Sequence, residues 1–514
     1  MSAKTRIVSL AAMAFALAGP CGPARAPAGP ATYRYKVAYA TYVGGSADEQ
    51  LREVIPAADG SVLVGGQTSS PDLPVTPGAA QGRYGGEPAG TGHPGIYGGD
   101  CFLMRLDADG GKVLACTYFG GSKQERNVYG MAVDRGGNVV ITSATRSPDL
   151  PTTEGAFQRK YGGAPSDWAV AKLSPDLKRI VWCTYVGGRG DDFPRGGLAV
   201  DGEDSVYVAG GTASPDFPTT PGVFQREPRK ASRDAAIVKL KADGSGLIFA
   251  TRLGGSDWDG LMGIRVAPDG SFHVAGHTRS ADFPVTPGAA QGRLGGQSDC
   301  FLAGFSKDAA RLLYATCLGG GENEFAEHRP HLLADGSVLL TGVTGSADFP
   351  TTEGAFRRRL GGRTDGFLTK LAPGGKRWAF STRIGGSEGE YLLMPTPDAA
   401  GNVFFVGTTR SKDFPVTPGA VQPKYAGAPG QGDGDGVLGV LSADGSKLLY
   451  ATFLGGSGAD LIRSVALGPE GAVYLVGSTS SADFPVTPGA ASPQLRGRSD
   501  AFVVKLVPAG RVGV

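Results

Sequence analysis

Thr68-Ser69-Ser70-Pro71-Asp72-Leu73-Pro74-Val75-Thr76-Pro77-Gly78 is the stretch that decides the fold, because the chain writes it seven times. The shared pattern is Thr-x-Ser-x-Asp-Leu/Phe-Pro-x-Thr-x-Gly, with its Asp at Asp72, Asp149, Asp216, Asp282, Asp348, Asp413 and Asp483. The steps between them are 77, 67, 66, 66, 65 and 70 residues, so one supersecondary unit recurs along almost the whole sequence. Two further signatures keep step with it. A Gly-Gly pair ends a short apolar run at Gly44-Gly45, Gly120-Gly121, Gly187-Gly188, Gly254-Gly255, Gly319-Gly320, Gly385-Gly386 and Gly455-Gly456. An Asp opens another apolar run at Asp100, Asp167, Asp234, Asp299, Asp365, Asp435 and Asp500.

Each unit holds four short apolar runs separated by Gly, Pro and Asp, which read as strands. In the third unit they are residues 197–201, 206–210, 235–240 and 247–253. No segment sustains a 3.6-residue apolar period. The one helical expectation is a single turn at Thr220-Pro221-Gly222-Val223-Phe224-Gln225, where a Thr cap precedes Pro. Seven four-stranded units make an all-β, seven-bladed β-propeller. Its ends complement each other: Tyr39 to Val43 is a fourth strand lacking its first three, and Ile462 to Leu506 supplies three strands lacking a fourth. The N-terminal strand is therefore expected to close the last blade and remove the open seam. Pro56, Pro330, Pro395 and Pro397 fall in or beside first strands, as suits an inner edge on the channel.

These repeats resemble the bacterial SBBP propeller repeat, over roughly residues 36–507. The likeness is carried by the Asp-Leu/Phe-Pro-x-Thr-x-Gly stretch, by strands such as Asp500-Ala501-Phe502-Val503-Val504-Lys505-Leu506, and by the Gly-Gly ends. The resemblance implies an exported or surface-associated propeller. It implies no reaction, cofactor or catalytic residue, because fold and function are separable.

With 514 residues, 41% of them hydrophobic, the chain can bury a large core, and a net charge of +2 argues against a nucleic-acid partner. The 84 Gly and 36 Pro sit at fixed places in each unit and so mark turns. Residues 1–26 read as a Sec-type export signal: Lys4 and Arg6, an apolar stretch from Ile7 to Ala18, then Ala24-Arg25-Ala26 for cleavage. Pro20 before Cys21 fits a lipid anchor poorly. The expected domains are this signal, one propeller over 27–510 and a short tail over 511–514. No later apolar stretch approaches the ~20 residues of a membrane span. The protein is thus expected to be a periplasmic, cell-surface or extracellular monomer without cofactor or metal. Cys101, Cys116, Cys183, Cys300 and Cys317 would remain, either as buried thiols or, for Cys101 with Cys116 and Cys300 with Cys317, as hairpin disulfides.

A carboxylate follows each Gly-Gly by four residues: Glu49, Glu125, Asp192, Asp259, Glu324, Glu390 and Asp460. This acidic ring near the channel reads as structural, each acid accepting backbone or Arg hydrogen bonds between blades, with Arg52, Arg195 and Arg463 as partners three residues on. A cation-attracting rim is the alternative. The repeated Asp before Leu/Phe-Pro reads as a turn-stabilising residue. Chemistry is better sought where the repeat breaks. Unit five replaces its apolar first strand with residues 322–331, which include Glu324, Glu327, His328 and His331. The reading there is a polar lining of the channel, with no catalytic residue assigned; Glu324, Glu327 and His328 are the candidate acid/base groups in the alternative. His273 and His277 share a strand face and are expected to be buried and hydrogen-bonded. Two Gly- and Pro-rich insertions, Glu87 to Gly99 and Ala426 to Gly434, are the irregular loops, and His93, Ile96 and Tyr97 are the binding candidates there. The reading is a non-enzymatic scaffold that presents a loop-rich face to a protein or surface glycan. The alternatives are a lyase or hydrolase at the channel mouth, and a structural envelope component.

Overall fold

The computed structural model describes residues 33–87, 98–163, 165–229, 233–427 and 434–509. The expected export signal, Cys21, the C-terminal tail and the binding candidates His93, Ile96 and Tyr97 lie outside the described residues. Seven antiparallel sheets form the blades of a β-propeller. Blade one shows the plan: Glu49–Pro56 lines the channel, followed outward by Val62–Thr68, Asp100–Leu106 and Val113–Phe119. Among the described residues no helix is long and apolar enough to cross a membrane.

Closure follows the expected route. The strand Tyr35–Val43 pairs with Asp500–Pro508 as the outermost strand of blade seven, with Tyr42 opposite Phe502. The apolar core is a set of seven clusters, one per junction between neighbouring blades. The cluster that joins blade seven to blade one packs Tyr39, Val43, Tyr474 and Val503 against Leu51, Val54, Val62 and Phe102. The ring therefore depends on the N-terminal strand at a core, not only at an edge.

Alternation across each strand settles the cysteines. Cys101 packs in the junction of blades one and two, whereas Cys116 faces the junction of blades seven and one. Cys300 and Cys317 are divided the same way. All five thiols are free and buried.

The Thr-Pro-Gly motif is not a helical turn. Thr76, Pro77, Gly78 and Ala79 make a type II turn, closed by the Ala79 N–H on the Thr76 carbonyl at 3.1 Å. Gly78 has φ +77 and Gly222 has φ +82, a conformation that favours Gly and diverts the chain after Pro. The only helix among the described residues is the 3-10 turn Pro469–Gly471. The turn instead covers the outer strand. The hydroxyls of Thr76, Thr153, Thr220, Thr286, Thr352, Thr417 and Thr487 accept N–H groups from that strand at 3.0–3.2 Å. Part of each blade's unpaired edge is thereby closed to other chains.

Deleting residues 27–46 should open the ring and expose the edge of Asp500–Pro508. The expected result is a fall in melting temperature on the order of 10 °C, with aggregation seen by light scattering; an unchanged melting curve would contradict this closure.

Candidate functional site

Three repeated signatures meet at one point in every blade junction. Each acid of the ring is the first residue of an inner strand and is buried. Glu324 accepts the hydroxyls of Thr344 and Ser346 at 2.6 Å each and the Gly320 N–H at 2.9 Å. Asp192 is held by Ser214 and the Gly188 N–H, both at 2.7 Å, and Asp259 by Ser280 and the Gly255 N–H, both at 2.8 Å. These donors come from the Thr-x-Ser and Gly-Gly signatures. The Asp before Leu/Phe-Pro ties a second pair of loops: Asp72 accepts the Ser46 N–H at 2.8 Å, and the same bond recurs in all seven units at 2.7–2.9 Å.

The Asp that opens each third strand adds a second carboxyl to this knot. A Cβ on Gly120 would sit 2.2 Å from Glu125 Oε2 and 2.5 Å from Asp100 Oδ1, so the two carboxyls face each other over a bare backbone. Asp100 Oδ1 is buried without a partner, as are Oδ1 of Asp167, Asp192, Asp234, Asp259 and Asp460. Two buried carboxyls this close cannot both ionise cheaply, and the pair holds a proton. Burial pushes Asp100 up to about 7 and Glu125 up to about 8, with the Asp100 charge raising Glu125 further. Burial likewise raises Glu49 to about 7 and Asp167 to about 7. Blade three is different, because Arg252 reaches Asp234 at 3.2 Å.

The side chains three residues after Glu49, Asp192 and Asp460 point the other way, into the channel. Arg52, Arg195 and Arg463 are therefore not partners of the acids that precede them. They converge on Glu327, reaching its Oε1 at 3.0, 2.8 and 3.0 Å. The Tyr391 hydroxyl donates to Glu327 Oε2. Unit five departs from the repeat to make this possible. Its inner strand is split into Glu324–Phe325 and His331–Leu332, and the residues between cross against blade four. A Cβ on Gly263 would lie 2.0 Å from the Arg329 Cα, so only Gly permits that crossing. Arg329 then reaches Glu53 of blade one at 2.8 Å. Burial opposes ionisation of Glu327, but Arg463, Arg195 and Arg52 outweigh it and hold the carboxyl well below its ordinary range. Burial and Arg52 keep His328 neutral, and its Nε2 has no partner.

Of the candidate acid/base groups, Glu324 thus has its oxygens filled by structural donors, Glu327 is a locked carboxylate and His328 is a buried neutral ring. His273 and His277 do not pair: His273 Nδ1 lies 2.9 Å from the Tyr314 hydroxyl, and His277 stacks on Trp258 with ring centroids 4.4 Å apart. Among the described residues no three His, Cys, Asp or Glu side chains are grouped to hold a metal ion.

Above Glu327 the channel opens into a cavity of about 340 Å³, in the range that accepts small ligands. Its walls include the half-buried rings of Tyr129, Phe193 and Trp258, together with Arg126, Arg195 and Arg233. Arg126 stacks at 4.9 Å over Phe193. The mouth lies on the face where second strands end and first and third strands begin, as Thr68 opposite both Glu49 and Asp100 shows. All long connections leave the blades on this face, so the loop-rich face and the channel mouth are one surface. Glu87 and Gly427, at the edges of the two insertions, belong to it. Sequence reasoning missed Arg126, Tyr129, Phe193 and Trp258; Arg126, Tyr129 and Trp258 have no counterpart at the equivalent positions of the other blades, whereas Phe193 recurs as Phe325 in blade five.

No family model matches the sequence, and no curated protein matches it. Among solved structures the chain is similar to BamB from Moraxella catarrhalis, at 14% identity and a TM-score of 0.38 over 92% of this chain and 99% of that one. It is similar to a protein of unknown function from Dyadobacter fermentans, at 10% identity and a TM-score of 0.41 over 92% and 99% of the two chains. It is also similar to a polysaccharide lyase, an ulvan lyase, at 10% identity and a TM-score of 0.43 over 85% and 93%. Likeness at this level concerns general architecture and carries no functional argument.

Two predictions follow from the carboxyls. The junction carboxyls bind their protons more tightly in the folded chain, so their stabilisation is full below the ordinary carboxylate range and is lost as pH rises through about 7 to 8. The melting temperature should therefore fall between about pH 5 and 8, and Asp100→Asn should flatten that slope in a thermal-shift series. Glu327→Gln should cost about 3–5 kcal/mol in denaturant unfolding, because it leaves the buried Arg52 and the half-buried Arg195 and Arg463 without their anion.

Proposed function

We propose that this chain is an exported, non-enzymatic propeller of the SBBP-repeat kind that binds a surface glycan at its channel mouth. The observation that carries the reading is the set of three half-buried rings, Tyr129, Phe193 and Trp258, around one cavity. Flat ring faces suit the C–H faces of sugars and bury apolar area without demanding unpaired polar groups. The cavity sits on inner strands at the face from which the long connections leave, which is where a repeat scaffold carries recognition. Export rests on the N-terminal sequence pattern, and SBBP membership rests on the repeated motifs.

A binding role is favoured over catalysis by the state of the available acids. A general acid or base needs a proton it can exchange near working pH. Glu327 is held ionised by three arginines, and His328 is held neutral by burial.

The mature protein should bind at least one cell-envelope polysaccharide saturably in a titration, without releasing reducing ends or unsaturated products. Trp258→Ala should weaken that binding tenfold or more while leaving the melting temperature within a few degrees of wild type. Depolymerisation that disappears in Glu327→Gln would replace this reading with the enzyme alternative.

A further inference from the structure

The cations of the mouth are of two kinds. Arg52, Arg195 and Arg463 are ion-paired with the one carboxylate of Glu327, and Arg233 is paired with Asp191. Arg126 has no ion pair and no hydrogen-bond acceptor for its guanidinium among the described residues, although it is half-buried. Arg146, at the end of the neighbouring second strand, is exposed and lacks an ion-pair partner among the described residues. Arg279, also exposed, lies 5.9 Å over the Trp258 ring. Burial makes the charge of Arg126 harder to hold, and Arg146 and Arg195 add to this; Tyr129 and Asp191 work the other way, but Asp191 is already engaged by Arg233 and makes no ion pair with Arg126.

A partly desolvated guanidinium beside like charges is a poor arrangement unless something negative completes it. Its planar fork matches a carboxylate or sulfate, and such charge-assisted pairs are the stronger hydrogen bonds. The channel already contains an internal example, since Arg52, Arg195 and Arg463 close around the carboxylate of Glu327. Arg126 differs in facing the open cavity beside the aromatic walls.

We infer that the ligand of the channel mouth is an acidic saccharide, whose carboxylate or sulfate is seated on Arg126 while its pyranose faces pack on Phe193, Tyr129 and Trp258. This rests on the glycan reading above and narrows it to one chemical class. An acidic peptide would satisfy Arg126 but would leave the three rings without a flat partner. A neutral sugar would satisfy the rings but leave Arg126 uncompensated.

The test is calorimetric titration of the mature protein with four probes: a galacturonic acid oligomer, its methyl ester, a sulfated galactan oligomer and poly-glutamate. Binding of either acidic sugar, weakened tenfold or more by Arg126→Gln at unchanged melting temperature, supports the proposal. The methyl ester should bind at least tenfold more weakly than the free acid, and Arg126→Lys should fall between wild type and Arg126→Gln. If the ester binds as well as the acid, or Arg126→Gln changes nothing, the acidic class is wrong while glycan binding stands. If only poly-glutamate binds, both the inference and the glycan reading fall.

Discussion

Everything in this ring rests on pairs of carboxyls buried where consecutive blades meet. An isolated buried carboxylate is expensive, and the molecule meets that cost in the same way around the ring. Thr and Ser hydroxyls from the second strand, an N–H from the second Gly of the Gly-Gly pair, and a carboxyl from the preceding blade all close on one group. Glycine is needed there because the carboxyls occupy the space a Cβ would take, as at Gly120. Three motifs that look independent along the chain are thus parts of one latch, and their common spacing follows from that.

The ring and its closure were legible in the sequence because they depend on strand periodicity, turn chemistry and complementary ends. The latch was half legible. The acids, their structural character and their backbone donors are legible, whereas the arginines three residues later are not their side-chain partners. An odd offset along a strand puts a side chain on the opposite face, and Arg52, Arg195 and Arg463 accordingly meet Glu327 instead. The Thr-Pro-Gly turn was misjudged for a local reason: Gly after Pro takes positive φ and closes a β-turn before a helical turn can begin.

The centre of the channel was not legible. Glu327 and its arginines lie up to 275 residues apart, and nothing in a single unit announces a contact made across the ring. What the sequence does show is the break in unit five, where Glu, His and Pro replace apolar residues. That break marks the right place, and its polar residues occupy the axis in the manner of a channel lining, the reading set against acid/base chemistry. The open mouth above them belongs to residues that look like ordinary strand positions until the blades are brought together.

In most repeat proteins each unit touches only its neighbours, and stability accumulates along a line. Glu327 departs from that scheme. From blade five it holds a side chain of its neighbour, blade six, and also side chains of blades one, three and seven, which do not touch blade five along the rim, as a hub holds spokes. Melting of one blade then withdraws a partner from blades on the far side of the ring. A chain assembled from nearly identical parts thereby behaves as one cooperative body, and the residue responsible is one that the repeat itself does not contain.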